Sequence, residues 1–362
     1  MGGSLYGAER MPLEKFKELM LTFLPKLREA LGEIEFTPVP FYSEKEDFGD
    51  LDVLVKGHTG LVRELVVEHF GFIPEDFKTD HSHQYTTNAN VFSFIYEKFQ
   101  VDLICTVEQY ETSLAYYSYN DVGNILGRFY HKLGLKFGHE GLLRPLRDER
   151  GIVRKELVIC KDINKILEFL GLDISKWHTG FSTLEDIFEW VATGKYFDPN
   201  IFLGELSAIN EKRDRKRKTF SKFLDWVENE KPKQNHVFVS RDERDNYIPE
   251  IEAFFECDIT TPVEEFNKQL ARERIVKEKY NGEIVMEITG LKGQQLGTWM
   301  GLFKGSIDNI GSSKGKTFDD FIDANSKEFI AETIKHDFEW HTSYWEKAKG
   351  DPLWIINGNK PD

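Results

Sequence analysis

Asp50 and Asp52 sit one residue apart at the mouth of an apolar run, in the stretch Gly49-Asp50-Leu51-Asp52-Val53-Leu54-Val55. A β-strand has a side-chain period of two, so the two carboxylates must share one face while Leu51 and Val53 take the other. Like charges held that close repel each other unless something positive lies between them. A hard divalent cation suits the pair, and Mg2+ prefers oxygen ligands and keeps coordination positions for substrate phosphates. Asp-x-Asp is also a common tripeptide of solvated turns and strand edges, so its neighbourhood decides its meaning.

That neighbourhood supplies a third acid. About fifty residues later, the stretch 91–105 is two apolar runs around a polar turn, the pattern of a β-hairpin. Its second strand carries Asp102 in an otherwise buried stretch. Burying that carboxylate without a partner costs several kcal/mol, and a cation shared with Asp50 and Asp52 removes the conflict.

The order "Ser43, short polar loop, Gly-Asp-Leu-Asp on a strand, then a lone Asp on a later strand" resembles the DNA polymerase β superfamily of nucleotidyltransferases, which includes CCA-adding enzymes and poly(A) polymerases. The resemblance implies a polymerase-β-like palm in which three carboxylates hold two Mg2+ ions, with Mn2+ able to substitute. Carried onto this chain, Asp50, Asp52 and Asp102 are the catalytic metal ligands. Ser43, Lys45 and Gly49 become the triphosphate side of the site, although Tyr42 stands where the family has Gly. A helix after the palm supplies polar contacts to the nucleotide in template-independent relatives, and Asn124, Arg128 and Lys132 are the residues in that place. The implied activity is transfer of a nucleoside monophosphate from an NTP, ATP or CTP, to a hydroxyl, foremost an RNA 3′ end. Two alternatives remain open: a protein or small-molecule acceptor, and a catalytically inactive nucleotide- or RNA-binding module.

The expected fold class is α+β, a mixed sheet flanked by helices and followed by a mostly α-helical C-terminal region. Residues 12–31 predict an amphipathic helix burying Phe16, Leu19, Met20, Phe23 and Leu27 despite Pro25. Strands are expected at 34–41 and 51–55, the first irregular because of Pro38 and Pro40, and a helix at 60–69 with Thr59 as N-cap. Residues 120–132 predict a helix with Val122, Ile125, Leu126 and Phe129 inward and Asn120, Asn124, Arg128 and Lys132 along a polar face. A second hairpin at 141–160, turning at 148–151, could extend the catalytic sheet. Asp162 caps a helix that Gly171 stops, another helix covers 181–191 after Ser182, and beyond Phe220 the pattern is nearly all helical. The polar, Pro-interrupted stretch 229–235 is the clearest linker. The expected division is 1–160 as catalytic domain, 161–228 as helical central region and 236–362 as helical C-terminal domain.

Composition excludes several classes. The 40% hydrophobic content, with 29 Phe, 13 Tyr and 7 Trp, supplies packed cores and excludes a disordered chain. No apolar run approaches the ~20 residues of a membrane span, and the N-terminus lacks the regions of a signal peptide, so no membrane association and a cytoplasmic location are expected. Cys105, Cys160 and Cys257 are too few and too distant for a zinc cluster or disulfide framework, and the first two fit apolar strands. The net charge of −15 excludes a broadly basic surface, so a nucleic acid must be held by local patches and by metal.

One such patch is the run Lys212, Arg213, Arg215, Lys216, Arg217 and Lys218, readable as RNA contacts or as a solvated helix face. Another is Gly290-Leu291-Lys292-Gly293, between two short helical patterns. It reads either as an ordinary helix connection or as a phosphate dock on Lys292 and the second helix's N-terminus. It is similar to a segment in the C-terminal region of CCA-adding enzymes and poly(A) polymerases. His81 and His83, at strand spacing without a third ligand nearby, are a weak zinc pattern.

Overall fold

The computed structural model describes residues 5, 7–71, 85–203, 217–312 and 316–349. Contacts divide the chain into two compact units, 1–259 and 260–362. The boundaries expected at 160 and 228 both fall inside the first unit. The whole is α+β, with all of the described strands in the first unit.

The first unit opens with a short strand β1 (Met11–Pro12) and helix α1 (Leu13–Leu31). Strands β2 (Phe36–Pro38), β3 (Asp47–Phe48) and β4 (Asp50–Lys56) follow, then helix α2 (Thr59–Phe70). The hairpin comes next as β5 (Tyr85–Asn88), β6 (Val91–Tyr96) and β7 (Phe99–Thr106). Five of these strands form one mixed sheet in the order β2-β4-β7-β6-β5, in which only β4 and β7 run parallel.

Strand period two sorts the faces of this sheet. Leu51, Val53, Val55, Val101, Leu103 and Cys105 pack against Phe16, Leu19, Phe23 and Leu27 of α1 and Val62 and Val66 of α2. Burying a Phe or Leu side chain contributes about 2–3 kcal/mol, so this face fixes the register of β4 and β7. Asp50, Asp52 and Asp102 are thereby turned to the opposite face, where Leu54 and Ile104 pack on Tyr110. Tyr110 opens helix α3 (Tyr110–Tyr117), which is followed by α4 (Val122–Lys132).

Strands β8 (Lys136–Gly138), β9 (Gly141–Arg147) and β10 (Val153–Cys160) form a separate antiparallel sheet in the order β10-β9-β8. The second hairpin therefore does not extend the five-stranded sheet. One edge of that sheet is β2, where Pro38 lacks the N–H that a further strand would need. The same prolines shorten the strand expected at 34–41 to three residues.

Helices α5 (Ile163–Phe169), α6 (Ile174–Thr179), α7 (Leu184–Ala192), α8 (Asn200–Leu203), α9 (Lys218–Glu230) and α10 (Ile248–Phe255) complete the first unit, with a 3₁₀ segment at Arg241–Tyr247. Asp162 caps α5 as expected, accepting from the Asn164 N–H at 2.9 Å. Two other helix starts differ. Helix α7 starts at Leu184 rather than 181, with Thr183 as its cap accepting from the Asp186 N–H at 3.0 Å, and His58 precedes α2, so Thr59 is its first residue rather than its cap. Cys160 is half-buried, not a core residue like Cys105. The stretch expected as a linker is anchored instead: the Asn235 side-chain amide donates to the carbonyls of Ala192 and Gly194 at 3.0 and 2.9 Å.

The second unit consists of α11 (Thr260–Lys279), α12 (Gly282–Thr289), α13 (Gly293–Ser312), α14 (Phe318–Ala324) and α15 (Lys327–Lys349). Its own core gathers Tyr280, Val285, Trp299, Phe303, Phe318, Ile322, Ile330 and Ile334. Asn281 caps α12, and Gly290, at φ +74°, ends it in the left-handed conformation that favours glycine.

Gly123 and Gly127, one turn apart on α4, make a test of this packing. A Cβ on Gly123 would run into the Tyr116 carbonyl oxygen and lie 2.9 Å from its ring, whereas a Cβ on Gly127 meets nothing within 4 Å. Urea melts of Gly123→Ala are expected to show a loss of about 1–3 kcal/mol. Gly127→Ala is expected to gain about 0.5–1 kcal/mol from helix propensity alone.

Candidate metal centre

Parallel pairing of β4 with β7 sets Asp52 directly beside Asp102 and Asp50 beside Gln100. Each of Asp50, Asp52 and Asp102 offers a carboxylate oxygen within 4.8 Å of the other two. Three carboxylates from two strands thus converge on one point, a donor set that fits a hard cation such as Mg2+, Mn2+ or Ca2+ and not a thiophilic one.

Asp102 is held from its own sheet. The Gln100 side-chain amide donates to both of its oxygens, at 2.9 and 3.0 Å, and Ser93 on β6 donates a further hydrogen bond. Gln100 is buried, and its own Oε1 accepts from the Leu5 N–H at 2.9 Å. A carboxylate fixed this way keeps lone pairs directed at its neighbours while losing rotamer freedom.

The electrostatics are strained in one direction. Burial, then the charges of Asp50 and Asp102, push the Asp52 carboxyl up to about 8. Burial and the Asp102 charge also raise Asp50, and burial raises Asp102 against the pull of Ser93 and Gln100. The Lys45 ammonium opposes the rise at both Asp50 and Asp52. Burial lowers its ammonium pKa, more than the attraction of Asp50 and Asp52 raises it. One ammonium against three carboxylates leaves an excess of about two negative charges when all are ionised, which is the charge of one divalent cation.

The loop at 42–45 is pinned rather than open. The N–H groups of Ser43 and Glu44 donate to the carbonyls of Phe181 and Ser182, both at 2.9 Å, and the Lys45 N–H donates to the Tyr42 carbonyl at 3.1 Å. Those backbone groups are spent, so only the exposed Ser43 hydroxyl and the Lys45 ammonium remain to meet an anion from this loop. Lys45 Nζ lies 3.4 Å from Asn120 Oδ1 and 4.5 Å from the centre of the Phe48 ring. Gly49 is buried between β3 and β4.

On the helix side, Asn124 Nδ2 donates to Asp121 at 3.3 Å and its Oδ1 accepts from the Tyr116 hydroxyl at 3.3 Å. The Arg128 guanidinium lies 5.5 Å from the Phe220 ring centre. Lys132 ends α4, about 12 Å along the axis from Asn124 at 1.5 Å per residue. Of the basic run, 212–216 lies outside the described residues, as do His81 and His83. Arg217 is paired with Asp121 at 2.9 Å, and Lys218 is exposed at the start of α9. Lys292 is exposed on the connection between α12 and α13. No helix among the described residues is long and apolar enough to cross a membrane.

Four residues at the site escaped sequence reasoning. Gln100 and Ser93 were within reach of it: Gln100 is two positions from Asp102, hence on the same face. Tyr117 and His139 were not. Burial and then the Asp52 charge push the Tyr117 phenol up to about 12, and its ring centre lies 4.7 Å from that of His139. They come from α3 and the β8–β9 turn, and no spacing in the chain connects them to the acids.

The raised carboxyl pKa values fix a sign. In the folded state Asp52 binds its proton more tightly than in the unfolded chain, so without a cation stability falls as pH rises between about 4 and 8. Thermal melts in a chelating buffer are expected to drop by several degrees from pH 5 to pH 8. Millimolar Mg2+ or Mn2+ is expected to restore most of that loss at pH 8 and almost none at pH 5. In Asp52→Asn the pH-dependent drop shrinks. A melting temperature that is flat across this range, with or without the cation, contradicts the geometry.

A scan against protein-family models finds no match, and a search of curated proteins finds none either, so the functional reading rests on this carboxylate geometry and on the resemblance carried by Ser43 and the Gly49–Asp52 segment.

Proposed function

We propose that the protein is a metal-dependent nucleotidyltransferase that moves a nucleoside monophosphate from an NTP, ATP or CTP, to a hydroxyl acceptor, foremost the 3′ end of an RNA. The observation that carries this reading is the parallel register Asp52 to Asp102, which brings three carboxylates to one point beside Lys45. Its palm is the five-stranded sheet with α1 and α2 behind it and the acids in front.

Asp50, Asp52 and Asp102 would hold the cations, two in the family resemblance. Bound there, they would lower the pKa of the attacking hydroxyl and neutralise charge on the triphosphate as pyrophosphate leaves. The chain's own residues do the rest. Gln100 and Ser93 orient Asp102, which stands on the attacking side, and keep its oxygens from rotating away. Lys45, with its ammonium partly desolvated, offsets charge on the β or γ phosphate, and the Ser43 hydroxyl donates to it. The spent N–H groups of Ser43 and Glu44 leave the triphosphate to these two side chains. Tyr117 and His139 form an aromatic wall beside Asp52 on which a base can stack.

Incubation with each labelled NTP, Mg2+ and a mixed RNA pool, read on a denaturing gel, tests the reading. Wild-type protein is expected to extend RNA. Asp52→Ala is expected to lose roughly a hundredfold or more of this activity while its circular dichroism stays unchanged. Lys45→Ala is expected to raise KM for the NTP by about tenfold, one lost charge-assisted contact, with a smaller change in kcat. Near-normal transfer by Asp52→Ala refutes the site, label on protein instead of RNA redirects the acceptor, and NTP binding without pyrophosphate release marks an inactive module.

A further inference from the structure

Away from the acids, the described residues of the first unit bring together a group of arginines that no run in the sequence announces. Arg144 and Arg147 lie on β9, and Arg241 and Arg244 lie on the 3₁₀ segment about a hundred residues later. They meet at two glycines. A Cβ on Gly134 would collide with Arg144 Nη1 and come within 3.5 Å of the Arg244 Cβ. At Gly151, Arg147 Nη1 donates to the carbonyl at 2.8 Å, and Arg241 Nη2 lies 4.0 Å from where a Cβ would stand.

The neighbouring acids balance them only in part, Asp242 attracting Arg244 from the same segment. Asp245 pairs with Arg144 at 2.5 Å, Asp148 is taken by Arg150 and Arg154, and Glu243 accepts from the Ser240 hydroxyl at 2.6 Å. Among the described residues no carboxylate is paired with Arg147, Arg241 or Arg244. The Nε atoms of Arg144 and Arg244 are buried without a hydrogen-bond partner. Burial, then Arg241, Arg144 and Arg147, lower the Arg244 pKa, and burial followed by Arg244, Arg128, Arg147 and Lys132 holds the imidazole of His131, at the end of α4, down at about 4. In a chain of net charge −15, guanidiniums so crowded that they repel one another are a strained arrangement that an incoming anion relieves.

The geometry also says what kind of anion. Guanidinium forks match phosphate oxygens in pairs. Arg144 and Arg147, three residues apart along β9, face opposite sides by the strand's period of two, and Arg144 is engaged by Asp245 and the Gly134 carbonyl; Arg147 and Arg244 instead act on His131 together with Arg128 and Lys132 of α4, a spread wider than one phosphate group bridges. Arg147 and Arg241 are exposed, so the row is open to a long ligand. Helix α4 connects these arginines to the acids: Asn120, two residues before the helix begins, accepts from Lys45 at 3.4 Å, and His131 lies about 14 Å along the axis from its first residue, Val122.

We propose that Arg147, Arg241 and Arg244 form a backbone-phosphate site for a single RNA strand whose end runs along α4 to the acids, a placement that rests on the nucleotidyltransferase reading although the binding itself does not. The test is fluorescence anisotropy with a labelled single-stranded RNA of about twelve nucleotides at several salt concentrations. The variants are Arg147→Ala/Arg241→Ala, both exposed and so expected to fold, and Lys15→Ala on the far helix α1 as control. Wild type is expected to bind with an affinity that falls with salt. The double variant is expected to bind about tenfold more weakly, its salt slope shallower by roughly 1.4, since each single-strand phosphate contact contributes about 0.7. Lys15→Ala is expected to bind as wild type does. Binding is read without NTP or divalent cation, so a failed chemistry and a failed binding site give different results. Equal affinity and slope for wild type and double variant overturn the proposal, whatever the state of the transfer reaction. Calorimetric binding of inorganic phosphate that is lost in the double variant, with RNA affinity unchanged, also overturns it in favour of a small-anion site.

Discussion

Everything at the site follows from the repulsion among three carboxylates that a hydrophobic sheet forces together. The far face of β4 and β7 buries Leu51, Val53, Val55, Val101, Leu103 and Cys105 against α1 and α2. A slip of one residue would turn all six into solvent and the acids into the core, at a cost of about 2 kcal/mol for each large side chain exposed. The core therefore holds the acids in place although their mutual interaction opposes it. The cost appears in the carboxyl pKa values, raised by burial and then by neighbouring charge at Asp50 and Asp52 and by burial at Asp102, and a cation removes it.

Much of this was legible in the sequence because it is local. Period two placed Asp50 and Asp52 on one face, the hairpin at 91–105 placed Asp102 on a neighbouring strand, and the i, i+3, i+4 pattern placed α1 and α4. What could not be read is what depends on pairing between distant segments. Parallel register between β4 and β7 is set by the packing of α1 and α2, so the alignment of Asp52 with Asp102 has no signature in either segment. The failure of 141–160 to join the main sheet has a similar origin, because it depends on β8 capturing β9 and on the prolines near β2. Thr59 was misplaced by one residue as a cap, a shift that short-range preference cannot resolve when the chain bends one step earlier.

The loop at 42–45 departs from what the family resemblance implies, and the departure has a structural cause. Tyr42 is half-buried, and the N–H groups after it close onto Phe181 and Ser182. A glycine there would leave backbone donors facing a ligand; here they tie the loop to the chain leading into α7 instead. What the loop loses as a backbone cradle it gains as rigidity for Lys45, which Phe48 and Asn120 hold from two sides. Recognition of a triphosphate by such a loop would depend on side-chain charge and be correspondingly sensitive to salt.

Charge is also where the two halves of the functional argument meet. A net −15 would by itself repel a polyanion, yet at physiological ionic strength the field of dispersed surface charge decays over about 8 Å. An RNA strand within that distance responds to the groups beside it. The arginines at Gly134 and Gly151 are crowded enough to dominate that neighbourhood, whereas the acids at the other end of α4 attract phosphate only after a cation has reversed their sign. Binding and chemistry would then carry different dependences: strand affinity set by salt through the arginines, and engagement of the strand's end set by divalent cation through Asp50, Asp52 and Asp102. If the proposal holds, a net negative charge would disfavour a strand elsewhere and favour it where both conditions are met, which is a physical route to selecting an end rather than coating a length.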